Sequence, residues 1–294
     1  MRLLLQKLLF PDGNADAVVV TGREARAHSA EGQVASMALE DLLKVLRSAT
    51  MGTGEIVLPD GVKAVLSSGS ITILVHQTPP AVHNLKWIAA QSPRNYGTGT
   101  VYRRVRVALP YLIVLAVFWP GDDGALRISG ANEAFFRTEP LSSLDDDLYY
   151  PALLNCSRFD DPDDRRPLSW VCTQHMDRSY DSRGDECRRV RQGFRALMGV
   201  LLEDGFNRSS EEHEAGSWFQ ESARVIPQVS TVEEWEKATE EDPLFVLEVP
   251  WLPTGKTVRQ VADRIFHIHG RRRSRQVTTS TDLARIIFNA AHGT

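Results

Sequence analysis

Tyr102-Arg-Arg-Val-Arg-Val-Ala-Leu-Pro-Tyr-Leu-Ile-Val-Leu-Ala-Val-Phe-Trp119 contains the greasiest run of the chain and two kinds of strand pattern. In its first half Val105, Val107 and Leu109 alternate with Arg104 and Arg106, which gives one apolar and one basic face. The basic face reads as solvated, with an acidic partner as the other possibility. From Val107 to Trp119 the chain is apolar for about 13 residues and interrupted by Pro110. That is too short for a helix crossing a hydrocarbon layer of roughly 30 Å. A pair of buried strands is expected.

The same texture spreads outward. Between Glu55 and Arg137, runs at Val62–Leu66, Ile71–His76, Leu85–Ala89, Val101–Leu109, Tyr111–Phe118 and Leu126–Ile128 are separated by Gly, Pro and Asn, the punctuation of an antiparallel meander. Ahead of it, Leu39, Leu42, Leu43 and Leu46 lie at helical spacing behind Ser36 as a cap, which predicts a helix over 37–48. Behind it, a helix is expected from about Asp185, with Val190, Phe194, Leu197, Met198 and Leu201 as its buried stripe and Gly205 as its stop. Residues 206–217 are polar and read as a linker. Ser230-x-x-Glu233 and Thr257-x-x-Gln260 are capping-box patterns, Leu244–Val249 reads as a strand, and Leu283, Ile286, Ile287 and Ala290 suggest a last helix. The expected organisation is a strand and helix segment at 1–54, an α+β domain at 55–205, a linker and short helix at 206–229, and a smaller C-terminal α+β unit, mainly helical, at 230–294.

With 34 basic and 38 acidic residues the formal charge is −4, so no global field draws the chain to nucleic acid. Three cysteines do not make a disulfide framework, which points to a reducing, cytoplasmic setting. The start, Met1-Arg-Leu-Leu-Leu-Gln-Lys-Leu-Leu-Phe10, is interrupted by Lys7 and lacks a small-residue cleavage site, so it reads as an edge strand or short helix rather than a signal peptide.

Residues with site chemistry concentrate between Asn155 and Cys187. Tyr150-Pro-Ala-Leu-Leu-Asn-Cys-Ser-Arg-Phe159 leads through Asp160-Asp-Pro-Asp-Asp164 to Pro167-Leu-Ser-Trp-Val-Cys-Thr-Gln-His175. A cysteine in a loop ahead of a helix can be polarised by cationic groups and the positive helix end, which favours the thiolate. The leading helix, β-meander, proline-bearing loop with Asn155, Trp170-Val171-Cys172 stretch and following helix resemble divergent bacterial ubiquitin-conjugating-enzyme-like proteins, the group that includes PRTRC system protein B. The resemblance covers roughly residues 55–205, with Leu153-Leu154 standing where the family has His-Pro. It implies a ubiquitin-conjugating-like α+β fold and a ubiquitin-like protein carried as a thioester on Cys172. Asn155 would donate to the oxyanion, His175 would stand beside the cysteine, and an activating enzyme and a ubiquitin-like protein would be the partners. A non-catalytic interaction or scaffold module of the same fold, bound to other proteins of a bacterial multi-gene system, is the alternative.

The same residues permit other readings. Cys156, Cys172, His175 and Cys187 form a candidate Cys₃His zinc set, with Cys172-x-x-His175 as its short arm; otherwise no cofactor is implied. Cysteines that only pack are a further reading. Asp160–Asp164 lacks the Gly and terminal Glu of a calcium loop and reads as solvated. Gly52-Thr-Gly54 and Gly97-Thr-Gly99 do not continue into phosphate-binding loops. His267-Ile-His269 followed by Arg271, Arg272, Arg273 and Arg275 is the strongest basic cluster; without interleaved aromatics, nucleic acid is the weaker reading of it.

Overall fold

A computed structural model describes residues 17–21, 24–29, 32–38, 58–68, 70–87, 102–121, 126–161, 165–173, 176, 186–204 and 207–273. Along the chain run β1 (Ala17–Thr21), β2 (Glu24–Ser29), β3 (Gly32–Ala38), β4 (Val62–Ser68), β5 (Ile71–Thr78), β6 (Ala81–Trp87), β7 (Arg103–Leu109) and β8 (Tyr111–Pro120). There follow β9 (Leu126–Ile128), β10 (Glu133–Arg137), β11 (Asp147–Tyr149), β12 (Cys156–Arg158) and β13 (Trp170–Val171). Helix α1 (Glu186–Gly199) continues into a π-helical turn, Val200–Asp204. Next come α2 (Ser209–His213), β14 (Gly216–Ser217), α3 (Trp218–Ala223), α4 (Val232–Glu241), β15 (Pro253–Thr257) and α5 (Val258–Arg273). The fold is α+β.

Every strand pairing among the described residues is antiparallel. The large sheet has the order β14-β12-β13-β10-β8-β5-β4-β1-β2-β3, with β9 against β8 and β11 between β10 and β15. Only parts of it follow the sequential order of a meander. β6 and β7 leave the sheet and pair with each other, Leu85 opposite Val105, while β5 joins β8 directly, Leu74 opposite Ala116. Pro110, between β7 and β8, has no N–H for a ladder and marks where the chain turns from one sheet to the other.

The unbroken hydrophobicity of β8 follows from its place. Leu112, Val114, Ala116 and Phe118 point into one core, shared with Leu85, Val105 and Val107 of the hairpin, Phe194 and Leu197 of α1, and Trp235 of α4. Ile113, Leu115 and Val117 point into the other, shared with Val258, Val261, Ala262 and Ile265 of α5. A strand covered on both faces has no polar side to alternate. On β7 the expected alternation holds, with Val105, Val107 and Leu109 buried and Arg104 and Arg106 exposed. The outer edge of β7 is closed by α4: the Arg106 N–H donates to Glu236 Oε1 at 2.9 Å, the Ala108 N–H donates to Thr239 Oγ1 at 2.9 Å, and Trp235 Nε1 donates to the Ala108 carbonyl at 2.9 Å. Arg103 pairs with Glu233 and Glu236 of the same helix at 2.8 and 3.0 Å.

Several local expectations are corrected. Within the segment expected as a linker, residues 207–217 are part of the packed structure; they hold α2 and β14, and Ser210 and Ser217 are fully buried. The cap of α4 is Thr231, whose Oγ1 accepts the Glu234 N–H, because Ser230 closes the preceding turn onto the Pro227 carbonyl. Leu244–Val249 is not a strand but holds a 3₁₀ turn, Phe245–Leu247, preceded by the Leu244 N–H donating to Asp242 Oδ1 at 2.9 Å. Ser36 and Met37 belong to β3, so no helix begins there; residues 39–48 and 283–290 lie outside the described residues, as does Met1–Phe10. The capping box of α5 forms as read, Gln260 N donating to Thr257 Oγ1 and Thr257 N to Gln260 Oε1. No helix among the described residues is long and apolar enough to cross a membrane.

The turn into β4 depends on Gly61, at φ +87°, where an added Cβ would lie 2.7 Å from the Gln77 carbonyl oxygen and 2.7 Å from His76 Nε2. Both strain and overlap oppose a side chain there. Gly61→Ala is expected to lower unfolding free energy by roughly 2–4 kcal/mol, read as a reduced urea midpoint; an unchanged midpoint would contradict this geometry.

Candidate functional site

Two very short strands carry the segment singled out in the sequence. In the β12–β13 pair Cys156 lies opposite Val171 and Ser157 opposite Trp170, and the Cys172 N–H donates to the Asn155 carbonyl at 2.9 Å. The fold therefore brings Asn155 and Cys172 together across a strand pair despite the long loop between them. Their side chains differ in setting. Cys172 is half-buried, whereas Asn155 is 1% exposed.

Asn155 Nδ2 donates to the carbonyls of Val200 and Leu201, each at 3.1 Å. These residues open the π turn that ends α1, and a helix end needs outside donors for its last carbonyls. Two facing acceptors identify the atom as the amide nitrogen, and both of its hydrogens are engaged. Oδ1 of Asn155 is buried without a hydrogen-bond partner. Asn155 thus ties the end of α1 to the loop before β12.

Cys156 is fully buried, and desolvation pushes its thiol well up, so it stays neutral. Of the remaining candidate ligands, His175 and the Cys187 side chain lie outside the described residues. Among the described residues no group of three His, Cys, Asp or Glu side chains is placed to hold a metal ion. Asp161 Oδ2 accepts the Arg165 N–H at 2.8 Å and Asp160 faces Arg158 at 3.4 Å, so both carboxylates serve their own loop. In the basic cluster, 271–273 are the last residues of α5, with their side chains and Arg275 outside the described residues.

Glu133 is the residue that reading the sequence missed. It is 1% exposed on β10, and its Oε2 accepts the N–H groups of Leu168 and Ser169 at 2.9 and 3.0 Å. The same approach to β13 is held by Trp218 Nε1 donating to the Leu168 carbonyl at 2.8 Å. The Ala134 N–H donates to the Ser169 carbonyl at 3.2 Å and the Val171 N–H to the Asn132 carbonyl at 2.9 Å, while Trp170 Nε1 bonds the Gly130 carbonyl. Asn132, also buried, anchors the other side, its Oδ1 accepting the Val117 N–H at 2.8 Å and its Nδ2 donating to the Ser129 carbonyl at 2.8 Å. Burial raises the Glu133 carboxyl to about 7, against the opposing pull of the Ser169 and Leu168 amides and the Arg264 charge. The available signal was Asn132-Glu133 directly ahead of Ala134-Phe135-Phe136, a polar pair at the entry of a strand too apolar to have a wet face.

No family model matches the chain, and neither a curated protein nor a solved structure does.

The carboxyl of Glu133 makes folding depend on pH. Its folded value of about 7 lies above the ordinary 4.5, so between these values the folded state holds a proton that the unfolded state has released. The stability this proton supplies is full below pH 4.5 and is lost as pH rises through about 7, a change on the order of 3 kcal/mol. Glu133→Gln keeps an acceptor and removes the titration. Urea unfolding at pH 5, 6 and 8 should show a smaller fall in stability for the variant than for the parent; parallel pH profiles would exclude Glu133 as their source.

Proposed function

We propose that the protein is a non-catalytic, protein-binding component of a bacterial multi-gene system, on a divergent scaffold related to ubiquitin-conjugating enzymes. The observation that carries this reading is the engagement of Asn155. An oxyanion needs a donor aimed at the place where charge develops, about 3 Å away, and here both Nδ2 hydrogens are held by the carbonyls of Val200 and Leu201. Cys156 is a buried neutral thiol, which fits a packing role. On this reading Cys172 stands at the end of β13 as part of the architecture, and binding lies with the surface.

One observation favours a second reading, a thioester on Cys172. That cysteine is half-buried and its backbone is bonded to Asn155, so the two residues of the family pattern are neighbours. Intact-mass analysis of the protein isolated without reductant from cells expressing its system separates the two readings. Under the first, no thiol-reversible adduct forms, and Cys172→Ser binds the same partner proteins as the parent. A reductant-sensitive adduct that disappears in Cys172→Ser would overturn it in favour of the thioester.

A further inference from the structure

On one face of the large sheet, α1, β6, β7 and α4 cover a common core through Phe194, Leu85, Val105 and Trp235. The π turn that continues α1 packs beside β6, and α4 closes the far edge of β7. Charge is segregated across this layer. β6 and β7 contain no acidic residue, and neither does Arg188–Leu202, whereas α4 carries Glu233, Glu234, Glu236, Glu240 and Glu241. With every glutamate of α4 counted, the four elements stay net positive.

The outer face of the hairpin holds the unanswered part of that charge. Lys86 stands opposite Arg104, and Asn84 opposite Arg106. Arg104 and Arg106 are exposed and make no ion pair among the described residues. Arg103, by contrast, is met by Glu233 and Glu236 at 2.8 and 3.0 Å. Tyr102 is 48% exposed, and Lys86 Nζ lies 5.6 Å from its ring centroid, which puts the ring on the same face as Arg104. On α1, Arg191 and Arg195 are exposed one turn apart, also without an ion pair among the described residues. Like charges at that spacing work against a helix.

Exposed arginines around no apolar centre do not resemble a protein interface, whose core is depleted of charge. They suit a polyanion, whose condensed counterions they displace. Alternate residues of a strand stand roughly 7 Å apart, so Arg104 and Arg106 match the separation of successive phosphates on an extended nucleic-acid strand. Tyr102 offers a ring on which a base can stack. A double helix is too broad to rest on the hairpin without also covering the glutamates of α4; a single strand is not. Screening over about 8 Å at physiological salt keeps the chain's formal charge of −4 from cancelling this local field.

We propose that the outer face of the β6–β7 hairpin binds single-stranded nucleic acid, with successive phosphates on Arg104 and Arg106, Lys86 beside them, and a base stacked on Tyr102. This is independent of what Cys172 does.

Fluorescence anisotropy with the full-length protein tests it against a labelled oligothymidylate of about 20 nucleotides, a duplex of the same length and a polyglutamate peptide. Saturable binding of the oligothymidylate is expected at about 50 mM salt, weakening about 20-fold by about 200 mM if three phosphates are contacted. Arg104→Gln combined with Arg106→Gln should weaken it more than about tenfold and lower the salt slope by about 1.4. Tyr102→Ala should weaken it about tenfold. All three side chains are exposed, and an unchanged urea midpoint checks that the variants fold. Arg259→Gln removes a cation from α5, on the opposite face of the sheet, and should leave the affinity unchanged. Absence of saturable binding, duplex or polyglutamate bound as tightly as the single strand, full affinity in either hairpin variant, or an equal loss in Arg259→Gln would overturn the proposal.

Discussion

Burial of β8 on both faces is the constraint from which the rest of the architecture follows. A strand that carries Leu112, Ile113, Val114, Leu115, Ala116, Val117 and Phe118 in succession, each 0–1% exposed, must be covered on both sides. The hydrophobic effect, at roughly 25 cal/mol per Å² of apolar surface, makes either bare face prohibitive. One cover is the β6–β7 hairpin with α1 and α4. The other is α5. The C-terminal elements are therefore part of the same core as the central strands, and β15, paired to β11, leads the chain directly into the covering helix.

The second constraint is polar. Around β13 the sheet narrows to strands of two or three residues, too short to satisfy their own flanks. Side chains replace the missing ladder: Glu133 accepts two amides, Asn132 bridges the turn, and the indoles of Trp170 and Trp218 reach carbonyls. A buried carboxylate is costly, and its two amide bonds offset only part of that cost, which is why its proton is held so far above the ordinary range. The segment that presents Cys172 is thereby held in place by side chains from several strands and a helix.

How much of this was legible depends on whether a signal is local. Alternation in Arg104–Leu109, the apolar run after Pro110, and the Thr257/Gln260 capping box are local, and each element appears where its pattern stands. Partner choice is not local: nothing in Ala81–Trp87 distinguishes a strand of the main sheet from one that pairs only with β7. Residues 206–217 misled for a different reason. Ser157 bonds Ser210 at 2.8 Å and Ser217 bonds Glu211 at 3.1 Å, and composition does not separate a polar residue satisfied inside the protein from one satisfied by water. Asn155 and Cys172 were found by pattern and do meet, but the pattern carried no information on what the amide of Asn155 would bond.

That bond bears on chemistry through its magnitude. For Asn155 to stabilise an oxyanion it must turn from α1 and give up its two bonds to the Val200 and Leu201 carbonyls. At roughly 0.5–1.5 kcal/mol net for each hydrogen bond, that loss offsets a large part of the few kcal/mol that one oxyanion donor contributes. In this arrangement the amide stabilises the junction of helix and strand, and a residue type familiar from catalysis serves as a tie.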